Sequence, residues 1–300
     1  MMHFRFFLCC MSLACSLYLL PCKGQSALVL PAGDHTIPLE WYRDSSEAYA
    51  ALLIPVTLPH CQPCYMQFDL GAASSVLYRE GLGTGIADTV SSLPSFSFKT
   101  GNTLIGARNI PVISQPGPFT APYRIIGTIG ADLIDQKIAV IDYPGKALFI
   151  GNDIPAELQE GLALSPFVFS RRKVLLPATI RGKQTLLYFD TGSSAYALLT
   201  DEQTCLSMAL PGSVAAVRTV SSWGRQLTAH TVPTRDSIFI GGGQLPIQQA
   251  SYITGASEAQ TAQMRKIGIG GVTGNRLFLH SILVLDTRRQ LFGIRKAPGN

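Results

Sequence analysis

Phe68-Asp69-Leu70-Gly71-Ala72 and Phe189-Asp190-Thr191-Gly192-Ser193 are the stretches whose reading decides the fold. Both are reached in the same way. Leu52–Leu58 is followed by a turn and by Tyr65-Met66-Gln67-Phe68, and Val174–Ile180 is followed by a turn and by Leu187-Tyr188-Phe189. Each copy reads as a β-hairpin whose return strand runs into an Asp-Xaa-Gly turn, with tips at Pro59–Pro63 and Arg181-Gly182-Lys183. A second pair of segments follows in the same order. Thr128-Ile129-Gly130 leads to Ile138–Asp142, and Val272-Thr273-Gly274 leads to Ile282–Asp286, with 12 positions from Gly to the final Asp in both. Two ordered matches at corresponding places mark a duplicated half.

Working outward, the 300 residues suffice for two lobes of about 100–130 residues, each with its own core. A 47% hydrophobic and 14% charged composition describes a folded chain, and 28 Gly and 19 Pro between short apolar runs suit a turn-rich β protein. The formal charge of +5 is mild and scattered, which argues against nucleic acid as a partner. Residues 1–24 read as a signal peptide: Arg5 gives a basic start, Phe6–Leu20 an apolar stretch, and Cys22-Lys23-Gly24 a small-residue exit. An uncleaved anchor and a lipoprotein using Cys22 stay open as alternatives. No later segment has the roughly 18 uninterrupted apolar residues of a membrane-spanning helix. Three of the seven cysteines, Cys61, Cys64 and Cys205, lie beyond the leader. In an oxidising compartment Cys61 and Cys64 can bridge locally, leaving Cys205 as a small buried hydrophobe.

The duplicated halves resemble the pepsin-type aspartic proteases and the single-lobe retroviral proteases. The carrying residues are the two Asp-containing stretches, Ser194, and the two apolar-apolar-Gly segments ending at Gly130 and Gly274. The resemblance spans roughly residues 45–296 and implies an all-β chain of two pseudo-symmetric, barrel-like lobes with a few short helices. The corresponding division is 25–151 for the N-terminal lobe, 152–164 for a linker with a short helix at Pro155–Gln159, and 165–300 for the C-terminal lobe. It also implies that Asp69 and Asp190 meet as paired catalytic carboxylates, supported by Gly71, Thr191, Gly192 and Ser194. Two carboxyls about 3 Å apart cannot both ionise easily, so they share a proton and can serve as base and acid together. Glycines beside them let the backbone turn where a Cβ would intrude.

The two copies differ in ways that bear on activity. Thr191 can supply the family's buried hydroxyl bond across the pair, whereas Leu70 stands at the matching place and cannot hydrogen-bond. Ser194 is read as the hydroxyl supporting Asp190, with Ala73 at the equivalent first-lobe position. A hairpin covering the cleft is expected at Phe96–Ile105, turning at Gly101, with a second-lobe counterpart at Val217–His230 carrying Trp223 and Gly224 at its tip. Trp223 is a substrate contact if exposed and plain core if buried.

The expected function is an exported aspartic-type endopeptidase acting on peptide or protein substrates, with no metal and no organic cofactor. The chain is expected to be a monomer with no membrane span once the leader is removed. The alternative is a binding protein that keeps the cleft but has lost turnover, which Leu70 and Ala73 favour. Asp142 and Asp286 are expected to cap turns. Cys61-Gln62-Pro63-Cys64 has no second Cys pair nearby, so a metal or redox centre is the lesser reading.

Overall fold

In the computed structural model, the residues described are 6–7, 27–44, 47–59, 61–83, 90–115, 122–222, 225–255, 266 and 268–296. Phe6–Phe7 (β1) pair in parallel with Val220–Ser221. The first lobe follows with β2 (Ala27–Val29), β3 (His35–Pro38), β4 (Glu40–Tyr42), β5 (Ala51–Leu58), β6 (Cys61–Phe68) and β7 (Val76–Tyr78). A one-turn helix α1 (Arg79–Leu82) then leads to β8 (Ser92–Thr100), β9 (Thr103–Ile113), β10 (Ile125–Ile129), β11 (Ile138–Asp142) and β12 (Ala147–Gly151). After α2 (Ala156–Gln159), the second lobe holds β13 (Leu164–Pro166), β14 (Val168–Ser170), β15 (Lys173–Ile180), β16 (Lys183–Phe189) and β17 (Leu198–Leu199). It continues through α3 (Glu202–Met208) to β18 (Ala216–Ser222), β19 (Arg225–Pro233), β20 (Ser237–Ile240), β21 (Gly243–Pro246) and β22 (Gln249–Thr254). The last strands are β23 (Ile269–Thr273), β24 (Ser281–Asp286) and β25 (Leu291–Lys296).

The duplication read from sequence is a duplication of topology. In each lobe the hairpin's return strand takes the apolar-apolar-Gly strand alongside it in parallel, with Phe68 opposite Ile129 and Phe189 opposite Thr273. The amide of each Asp donates to that same crossing strand, Asp69 N to Ile129 O at 2.9 Å and Asp190 N to Thr273 O at 3.0 Å. The halves are joined by a six-stranded sheet ordered β13-β25-β24-β11-β12-β3. At its centre β11 and β24 run antiparallel with Val140 opposite Val284. These residues stand at equal distances from Gly130 and Gly274, so the pseudo-twofold axis of the chain passes between them.

Burial follows the strand pattern. Phe68, Phe189, Phe278 and Phe292 are fully buried, and Phe189 meets Phe278 edge-on at 5.3 Å between ring centres. Each such side chain contributes about 1.5–3 kcal/mol of apolar burial. The phenylalanines preceding both aspartates therefore anchor the ends of β6 and β16 in the core and fix where the next residue points. Helix α2 falls within the linker, with Pro155 as its N-cap residue. Asp142 and Asp286 cap turns as expected: Asp142 Oδ1 accepts Gly145 N at 2.8 Å, and Asp286 Oδ1 accepts the amides of Arg288 and Arg289 at 3.0 and 2.9 Å.

The expectation for Gly101 is corrected. The turn joining β8 and β9 is docked on β3: a Cβ at Gly101 would lie 3.2 Å from Pro38 Cδ, Thr100 is buried, and Thr103 Oγ1 is 3.3 Å from His35 Nδ1. Its second-lobe counterpart is the turn at Gly241. Thr57 of β5 pairs with Lys99 and Thr179 of β15 pairs with Phe239, and each partner lies two residues before a glycine of positive φ, Gly101 at 52° and Gly241 at 58°. This turn thus belongs to the base of each lobe. The β18–β19 hairpin stands between α3 and β20, a position that in the first lobe corresponds to the segment between α1 and β8, most of which lies outside the described residues. Trp223 and Gly224, at the tip of that hairpin, lie outside the described residues.

Candidate active site

The structure brings Asp69 and Asp190 together. They are 0% and 1% exposed, and the Asp69 carboxyl lies close enough to Asp190 to raise its pKa. Each carboxyl also lies against the glycine of the opposite turn. A Cβ at Gly192 would come within 2.6 Å of Asp69 Oδ1, and one at Gly71 would overlap Asp190 Oδ1. No residue but glycine fits at either place, so Gly71 and Gly192 are fixed by the approach of the two acids.

Local bonds orient the acids unequally. Asp69 Oδ1 accepts Gly71 N at 2.8 Å. Asp190 Oδ1 accepts Gly192 N at 2.8 Å and Ser193 N at 3.3 Å, while its Oδ2 accepts the Ser193 hydroxyl at 2.9 Å. Ser193, not Ser194, is therefore the hydroxyl that supports Asp190. The spacing that matters is Asp to the third residue on, which also makes Ala72 rather than Ala73 the first-lobe residue lacking it. Ser194 instead accepts Asn275 Nδ2 at 3.0 Å. Asn275 Nδ2 also donates to Thr191 O at 2.9 Å, and its Oδ1 accepts Tyr143 OH at 2.8 Å. Nothing in the sequence repeat marks Tyr143, whose hydroxyl meets Asn275 from 132 positions away in the chain.

Thr191 reaches into the first lobe. Its hydroxyl donates to Phe68 O at 2.8 Å and accepts Leu70 N at 2.7 Å, which satisfies two buried backbone groups at once. The reciprocal bond would need a hydroxyl at position 70, and the fully buried Leu70 has none. A further tie comes from the same side: Tyr188 OH donates to Gly71 O at 2.9 Å.

Burial, followed by the neighbouring Asp69 carboxyl, pushes Asp190 well above the usual carboxylate range, against the opposing bonds from Ser193 and Gly192. Two carboxyls so placed can share one proton, which is the state general acid–base chemistry on water needs. A cavity of about 560 Å³ lies on the second lobe, lined by Pro166, Pro177, Phe239 and Phe292 among others, and neither acid lines it. The chemistry sits at the acids, so the cavity's size does not make it the site.

Among the described residues, three ion pairs cross between the lobes. Glu47 pairs with Arg276 at 2.5 Å and with Arg218 at 3.5 Å, and Arg276 Nε donates to Ala195 O at 2.7 Å. Arg172 pairs with Asp135 at 2.9 Å and reaches Ser74 Oγ at 3.3 Å. Cys64 is disulfide-bonded, while the side chain of Cys61, its expected partner, lies outside the described residues. Cys205 is free and buried. Among the described residues no cluster of three or more His, Cys, Asp or Glu side chains could hold a metal ion. No helix among them is long and apolar enough to cross a membrane.

No protein-family model matches the chain, and no curated protein matches it. Solved structures do. The chain is similar to an aspartic proteinase from Irpex lacteus, at 11% identity and a TM-score of 0.53, over 88% of this chain and 98% of that one. It is also similar to conglutin gamma, a basic 7S globulin from lupine seeds, at 10% identity and a TM-score of 0.53, over 89% and 96%. Basic 7S globulin from soybean matches at 10% identity and a TM-score of 0.52, over 89% and 95%. The chain thus has the two-lobed β fold of the pepsin-like aspartic proteinases. That fold carries a proteinase in one relative and proteins named as globulins in two, so activity must be argued from the acids.

Proposed function

We propose that this chain is an exported aspartic-type endopeptidase, with Asp69 and Asp190 as its catalytic pair. The observation that carries the reading is a pair of buried carboxyls, each packed against the glycine of the opposite turn, with Asp190 held well above the normal range by burial and by the Asp69 carboxyl. In the reaction the ionised carboxyl takes a proton from water as its oxygen bonds to the scissile carbonyl carbon. The protonated carboxyl gives its proton to the carbonyl oxygen. The tetrahedral diol then collapses, breaking the C–N bond as a proton passes to the leaving nitrogen. Gly71 N–H and the Ser193 hydroxyl hold the two acids in place through this exchange. The Cys64 disulfide supports an oxidising compartment, in keeping with the leader at 1–24.

A second reading, a cleft-binding protein without turnover, is favoured by Leu70 and Ala72, which remove two hydroxyls from the Asp69 side. Incubation with an unfolded polypeptide at pH 3–7, with and without a hydroxyl-bearing transition-state mimic, separates them. The endopeptidase reading expects cleavage that the mimic blocks. Retention of the polypeptide without cleavage at any pH supports the second reading and overturns the first.

A further inference from the structure

We propose that Tyr188 is a positioning residue for Asp69, a second tie from the second lobe to a turn whose own residue 70 returns none. This rests on the dyad reading above. Tyr188 lies two residues before Asp190 on β16 and is 2% exposed. Its OH crosses between the lobes to Gly71 O, a residue 117 positions away in the chain. Gly71 is the pivot of the first turn: its N–H holds Asp69 Oδ1 and its Cα faces the Asp190 carboxyl with no room for a Cβ. Pinning its carbonyl fixes the plane of the following peptide, and with it the placement of the turn against Asp190.

The arrangement is one-sided. The residue matching Tyr188 in the first lobe is Gln67, also two before its Asp and 3% exposed, yet its Nε2 has no hydrogen-bond partner among the described residues. Leu70 likewise offers nothing to the second lobe. Both hydroxyl ties at the turns, from Thr191 and from Tyr188, therefore run from the second lobe into the first. A symmetric dyad would have one tie in each direction. Here the second lobe supplies both, and the tyrosine hydroxyl reaches the carbonyl of Gly71, two residues beyond Asp69.

Tyr188→Phe removes the hydroxyl and keeps the buried ring. The expected result is a roughly tenfold fall in kcat with KM within about twofold, the size of one lost neutral hydrogen bond acting on geometry. The pair's two protonation steps, followed through the 13C-labelled Asp side chains, should draw closer together. Tyr188→Phe combined with Leu70→Thr, which puts a hydroxyl back on the first lobe, should recover both readouts. An unchanged kcat and carboxyl titration in Tyr188→Phe overturns the proposal. So does a loss that a folded double variant fails to recover, because that marks a packing role only. If the double variant does not fold, the titration of Tyr188→Phe decides alone. If the parent protein cleaves nothing, the endopeptidase reading fails, while the titration still tests Tyr188.

Discussion

The hydroxyl of Thr191 lies 2.7 Å from the amide of Leu70 and is held there by its own bond to Phe68 O, a grip on the first turn that the side chain of Leu70 does not return. The pseudo-symmetry of the backbone is complete at this point, but that of the side chains is not. The consequences can be measured.

Thr191→Val keeps the shape and deletes the hydroxyl, leaving Phe68 O and Leu70 N–H buried without their bonds. Each orphaned group is expected to cost about 1–3 kcal/mol. Urea unfolding should show this loss, and Thr191→Ser, which keeps a hydroxyl, should restore most of it.

Leu70→Thr supplies the missing reciprocal hydroxyl and gives up part of a fully buried apolar side chain. The gain of one or two hydrogen bonds and the lost burial offset, so stability should change by less than about 2 kcal/mol. The cleavage rate on an unfolded polypeptide should rise. A fall in rate from a stably folded variant would show that the lopsided grip is already the optimal one.

Asp190 binds its proton more tightly in the folded protein than in the unfolded chain. Between about pH 4 and its raised value, the folded state holds more protons, so stability falls as pH rises through that window. Asp190→Asn removes this penalty. Its thermal midpoint should exceed that of the parent at neutral pH and converge with it below about pH 4, while cleavage drops by about 100-fold or more.

Gly192→Ala places a Cβ within 2.6 Å of the Asp69 carboxyl. The turn must shift or the acids must part, at a cost of about 3 kcal/mol or more. Circular dichroism against temperature should show the destabilisation, and binding of a transition-state mimic should be lost with it.

Most of the fold was legible because it is written twice. The hairpin strands, the Asp-Xaa-Gly turns, the crossing strands and the turn-capping Asp142 and Asp286 all repeat with fixed spacing, and spacing is what a sequence displays. The base turn at Gly101 was misplaced because any Gly-Asn turn between two strands looks like a projecting hairpin. Only the contact of that turn with Pro38, and the burial of the flanking Thr100 and Thr103, reveal that it is docked on β3. Ser193 and Ser194 are adjacent hydroxyls, and the chain alone does not show that the turn after Asp190 aims the first at the carboxyl and the second at Asn275. Tyr188 reads in the sequence as one more aromatic on a buried strand. Its role depends on a partner 117 positions away.

The central claim is that Asp69 and Asp190 hold one proton between them. Titration of the 13Cγ resonances of these two residues, assigned through Asp69→Asn and Asp190→Asn, tests it most directly. The account predicts two separate steps, with the second well above the usual carboxylate range, so that one proton stays on the pair after the other has left. Two carboxyls that both ionise near pH 4, as independent aspartates do, would contradict it.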